Sequence, residues 1–93
     1  MARSRTRRGR SEIWDRKAVV ATARRERTRI GARLRELRRA LGLSQERASE
    51  KIGIHPKHLL RIEQGDANVT IGTLVAAALA YGVQLRDLVA PRR

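Results

Sequence analysis

The side chains best suited to chemistry in this chain gather in one stretch, KIGIHPKHLLRIEQG, from Lys51 to Gly65. His55 and His58 stand three residues apart, a spacing that suits zinc ligands on one helix face. No third ligand lies near them and the chain has no cysteine, so no metal site is expected. Glu46, Glu50 and Glu63 are the carboxylates one would test for acid–base work. Their arginine and lysine neighbours favour ion pairs instead. No nucleophile–base pair stands out, and 93 residues is short for an enzyme pocket, so neither catalysis nor a cofactor is expected. What remains is hydrogen-bond donation. His55, Lys57, His58 and Arg61 all carry N–H donors.

The charge balance points the same way. There are 22 Lys+Arg against 9 Asp+Glu, a formal net charge of +13. Residues 1–29 hold eleven basic and three acidic side chains, residues 30–90 nine and six, and Arg92 and Arg93 form a short basic tail. A polyanion is the natural partner of such a chain. Arginine dominates over lysine, and its planar fork suits phosphate. Phenylalanine is absent and there is a single tryptophan and a single tyrosine, which argues against the stacking platforms of RNA-recognition modules. The sequence has no apolar run of transmembrane length and no secretory signal, so a cytoplasmic, nucleoid-associated protein without membrane contact is expected.

Those donors need elements to hold them. MARSRTRRGR carries Arg3, Arg5, Arg7, Arg8 and Arg10, no acid and almost nothing apolar. Such a segment buries too little surface to offset its ordering entropy and reads as a basic arm. Ser11 is a candidate N-cap for a helix in residues 12–29, where Trp14 is the expected packing anchor. That segment either forms an additional helix or runs continuously into the next. From Ile30 the pattern is clear: Ile30, Leu34, Leu37 and Leu41 recur at helical spacing until Gly42. Ser44 caps a second helix that Gly53 breaks. Pro56 opens a third, to Gln64, at the position where a missing N–H costs nothing. Thr70 caps a fourth, ended by Gly82, with Leu74, Ala77, Ala78 and Tyr81 inward, and LRDLV is a short fifth. No strand pattern is present. Val75 and Leu79 share an apolar face that is expected to pack on the Trp14 helix or on a second subunit.

Two short helices joined by a glycine-led turn form a helix-turn-helix. Small Ala48 and Ser49 permit a close crossing, and Ile52, Ile54, Leu59 and Ile62 point inward to lock the pair. The donors of the third helix are then left on its outer face, where a DNA major groove admits them.

Residues 30–90 resemble the lambda-repressor/Cro-like helix-turn-helix family, also called the XRE family. LRELRRALGLSQ, RIEQG and TLVAAALAYGVQLRDL carry the resemblance, in the family's order and spacing, over about two-thirds of the chain. It implies an all-α, five-helix DNA-binding domain at 30–90; the basic arm and candidate extra helix at 1–29 and the basic tail at 91–93 lie outside it. It implies base contacts from His55, Lys57, His58 and Arg61. It implies phosphate contacts from Ser44, Gln45, Gln64 and Asn68, to which the arm arginines add theirs. It matches Arg38 and Glu63 to an ion pair between the first and third helices. Pro56 departs from the pattern by replacing a base-reading amide, which shifts readout to Lys57 and Arg61.

The expected function is sequence-specific binding of double-stranded DNA by a transcriptional regulator, a homodimeric repressor or autoregulator on a palindromic operator. The alternatives are an antitoxin that also masks a toxin, a restriction–modification controller, and an architectural protein that coats DNA without sequence choice.

Overall fold

The computed structural model of the protein describes residues 15–91. Arm residues Arg3, Arg5, Arg7, Arg8 and Arg10, together with Ser11, Trp14, Arg92 and Arg93, lie outside the described residues. Five helices follow one another: α1 (Arg16–Ala40), α2 (Gln45–Ile52), α3 (Pro56–Glu63), α4 (Ile71–Tyr81) and α5 (Leu85–Val89). The described residues contain no strand.

The segment before Ile30 continues directly into the first helix of the motif, giving 25 unbroken residues. At 1.5 Å per residue this helix is roughly 37 Å long. Its N-cap is Asp15, whose Oδ1 accepts from the Lys17 N–H at 3.2 Å. Ala40, not Leu41, ends the helix; Leu41 is half-exposed and does not join the apolar stripe, because the chain turns away at Gly42 with φ +71°. Ser44 and Thr70 cap α2 and α4 through their hydroxyls, each accepting at 3.1 Å from the backbone N–H three residues on. Such caps satisfy N–H groups that a helix start otherwise leaves without partners.

Leu34, Ala48, Ile52, Leu59, Ile62, Leu74, Ala77, Ala78, Tyr81 and Leu88 form one buried cluster drawn from all five helices. Ile30, Leu37 and Ile54 pack against it, partly exposed. Ala48 and Ser49 are buried at the α2–α3 crossing, and Ser49 Oγ donates to the Glu46 carbonyl at 2.9 Å. Gly53 makes the turn between them at φ +90°. The Tyr81 hydroxyl is buried with no hydrogen-bond partner among the described residues.

A second crossing, between α1 and α3, depends on Gly31. A Cβ there would stand 2.1 Å from the Ile62 carbonyl oxygen and 2.9 Å from that of Glu63. Only glycine lets the two backbones approach so closely. One turn earlier, Thr28 packs on Gly65. Further along, Arg29 donates to the Val89 carbonyl at 2.6 Å and Arg33 to the Asp87 carbonyl at 3.0 Å. These two arginines satisfy carbonyls left open at the end of α5 and tie it to α1. Val75 and Leu79, expected to pack on the Trp14 helix or on a second copy, are covered by no described part of the chain; Leu79 is 78 % exposed.

Candidate nucleic-acid interface

The geometry of α3 starts from its first residue. Pro56 presets the helical φ, and His55 caps it with Nδ1 accepting from the Lys57 N–H at 3.1 Å. An accepting Nδ1 places the imidazole proton on Nε2, so His55 presents an outward donor. The sequence pattern marked His55 only as a contact residue; its capping role needs backbone positions to be seen. Lys57 and Arg61, four apart, are exposed on one face, and His58 is half-buried beside them. Arg61 is steadied by donating to the Asp66 carbonyl at 3.2 Å.

The inner side of α3 is fixed by charge as well as by Leu59 and Ile62. Arg38 on α1 and Glu63 on α3 are 8 % and 6 % exposed. They make a two-pronged pair: Nε to Oε2 at 2.7 Å and Nη2 to Oε1 at 3.0 Å. The remaining nitrogen, Nη1, donates to the Leu43 carbonyl at 3.0 Å, in the turn before α2. Gln45 Nε2, on α2, adds a 3.3 Å bond to the same carboxylate. Glu63 is thus the point where α1, α2 and α3 meet. Its hydrogen bonds raise the Arg38 pKa above the ordinary guanidinium value, against the opposing pull of burial. Such a pair does more to specify orientation than to add net stability.

Of the residues matched to phosphate contacts, Ser44 and Gln45 lie together at the start of α2, and Gln64 and Asn68 flank the end of α3. The hydroxyl of Ser44 already accepts from the backbone, which leaves its proton to donate outward. Asn68 accepts from Arg27 Nη1 at 3.3 Å. That bond reveals what the sequence pattern did not separate out. Arg24 and Arg27 line a cleft of about 680 Å³ with His58, Arg61, Gln64 and Asn68. The helical period carried the signal, since 24, 27, 28, 31, 34 and 38 fall on one face of α1. Reading it required knowing that α1 is continuous.

Among the described residues no group of three or more His, Cys, Asp or Glu is placed to hold a metal ion. No described helix is long and apolar enough to cross a membrane.

The sequence profile of the helix-turn-helix family matches residues 34–88. A HTH-type transcriptional regulator, y4dJ, from Sinorhizobium fredii (strain NGR234) is 37 % identical over 62 residues, covering 67 % of this chain and 80 % of that protein. The restriction–modification controller protein C.AhdI from Aeromonas hydrophila superposes with a TM-score of 0.65 at 35 % identity, over 67 % of this chain and 94 % of its own. The hypothetical transcription factor NHTF from Neisseria superposes at 0.68 with 24 % identity, over 71 % of this chain and 76 % of its own, a likeness of fold. With all five helices in that arrangement and the profile spanning more than half its length, the chain belongs to the XRE-type helix-turn-helix family.

Proposed function

We propose that this protein is a sequence-specific, double-stranded DNA-binding transcriptional regulator whose α3 enters the major groove. One observation carries the reading: α3 is locked from behind by the Arg38–Glu63–Gln45 cluster while Lys57 and Arg61, on its outer face, make no ion pair among the described residues. A helix that reads bases must be held in one orientation, and its reading face must keep its donors for the groove. Lys57 and Arg61 contact guanine edges, with His55 and His58 at the margin. Ser44, Gln45, Gln64 and Asn68 sit along the flanking phosphates, and the arginines of residues 1–10 add charge that steers association.

Ile71, Val75 and Leu79 recur every four residues on α4, and all three are exposed, Ile71 by 67 %. This stripe is the seam of a homodimer, which sets two α3 helices on half-sites one helical turn apart, about 34–36 Å.

Selection of bound duplexes from a random library, at physiological salt, tests the reading. An inverted repeat with guanines at fixed positions is the expected outcome. Binding without any recovered sequence preference would refute it. Similarity to C.AhdI favours one more specific role, that of a restriction–modification controller. The recovered operator would then lie upstream of the protein's own gene, beside genes for an endonuclease and a methyltransferase.

A further inference from the structure

The family profile begins at residue 34, yet α1 begins at Arg16. The turns nearest the motif are held against the rest of the fold. They continue the same helix, and Thr28 on Gly65 and Arg27 on Asn68 seat them beside the end of α3. The face of α1 that packs on α3 through Gly31, Leu34 and Arg38 runs on through Arg27 to Arg24. There the cleft opens. Two arginines line it from α1, His58 and Arg61 line it from α3, and Asp66 is its one acidic side chain. Arg24 has no hydrogen-bond or ion-pair partner among the described residues, and its side chain is exposed. His58 and Arg61 also belong to the outer face of α3, so the cleft adjoins the surface that meets DNA.

We propose that the N-terminal overhang of α1 is a second DNA-binding element, with one sugar–phosphate strand lying in the cleft between Arg24 and Arg27 on one side and His58 and Arg61 on the other. The proposal rests on the DNA-binding reading above and deepens it by giving residues 16–28 a role. The chemistry that selects the occupant is charge and shape. A cleft with three arginines and one carboxylate fits a phosphodiester chain, and guanidinium groups bind phosphate oxygens in pairs. The two helices would grip the strand that borders the groove entered by α3. Because phosphates carry no sequence information, the overhang fixes register and adds affinity without changing which bases are read.

The test compares the full chain with Arg24→Gln and Arg24→Gln/Arg27→Gln on a duplex bearing the selected site and on a random duplex, over a salt series. The Arg24 side chain makes no hydrogen bond or ion pair among the described residues, so its replacement separates contact from folding; circular dichroism checks the double variant. The expected result is a salt slope, log Kobs against log salt, shallower per bound copy by about 0.9 for the single variant and about 1.8 for the double, and by twice that for a dimer on an inverted repeat. Affinity should fall by a similar factor on both duplexes, leaving base preference intact. An unchanged slope overturns the proposal, whether affinity is also unchanged or falls because a dimer has been lost. Lys57→Ala, on the outer face of α3 but outside the cleft, is run alongside and separates the two readings. If it loses affinity for the site while Arg24→Gln does not, the overhang proposal fails and the α3 reading stands. If the unaltered protein binds no duplex, both fail together.

Discussion

Gly31→Ala is the sharpest test of how α1 and α3 meet. In an isolated helix this change is favourable, by about 1 kcal/mol, because alanine loses less conformational freedom than glycine. Here the new methyl would sit 2.1 Å from one backbone carbonyl oxygen and 2.9 Å from the next. Neither neighbour is a flexible side chain, so relief comes only from parting the helices by more than about 1 Å, the shortfall from ordinary contact distance. That movement would loosen Leu34 against Leu59 and Ile62, and would stretch the 2.7 and 3.0 Å Arg38–Glu63 bonds beyond good hydrogen-bond length. Overpacking costs about 1–3 kcal/mol and weakening of a buried ion pair adds to it, so a net loss of about 2–4 kcal/mol is expected after the propensity gain. For a chain of this size that is a large share of total stability, about 5–14 kcal/mol. Urea unfolding followed by circular dichroism measures it. Gly72→Ala is the control, since its Cβ would meet nothing closer than 3.8 Å, and it should be neutral or slightly stabilising. If Gly31→Ala proves as stable as the parent, α1 and α3 do not cross as described.

Glu63→Ala strands the Arg38 guanidinium in the interior and should cost about 3–5 kcal/mol, whereas Arg38→Met with Glu63→Leu should cost less than either single change. Additive losses in that double-mutant cycle would show that the two side chains act independently. Tyr81 is held protonated up to about 12 by burial first and the nearby Glu63 charge second, while an unfolded tyrosine ionises near 10. Between those values the unfolded chain binds fewer protons, so stability should fall as pH rises, by up to about 2–3 kcal/mol, and Tyr81→Phe should abolish that decline. The chain has one tyrosine, so phenolate absorbance reports this site alone, and an ordinary titration midpoint would count against its burial. Leu79→Lys should leave monomer stability unchanged, given the 78 % exposure, but reduce the mass seen by light scattering from dimer to monomer. An unchanged mass would remove α4 as the dimer seam.

Most of the fold is legible in the sequence because it rests on local rules. Ser44, Pro56 and Thr70 announce helix starts, Gly42, Gly53 and Gly82 announce stops, and the inward set Leu74, Ala77, Ala78 and Tyr81 follows from helical period alone. The outer donors of α3 are legible for the same reason. What escapes such reading involves partners far apart in the chain. Gly31 looks like an ordinary helical glycine until the Ile62 carbonyl is set against it. His55 looks like a contact residue until its ring meets the Lys57 N–H. Arg29 and Arg33 look like solvated charges, yet they hold the end of α5. Arg24 and Arg27 belong to a basic run that composition marks as attractive to a polyanion, but composition does not say which way a side chain points.

The continuity of α1 has a consequence for how this segment can change over time. A helix advances 1.5 Å and turns about 100° with each residue. Inserting one residue ahead of Thr28 would leave the packed body untouched and swing Arg24 a quarter-turn or more out of line with α3. Seven residues would nearly restore its direction but carry it roughly 10 Å further out. Length variation in this part of the chain is therefore quantised: only insertions close to a whole number of turns, about seven, eleven or eighteen residues, keep the basic face aligned. The helix serves as a ruler whose graduations are set by the α-helical repeat.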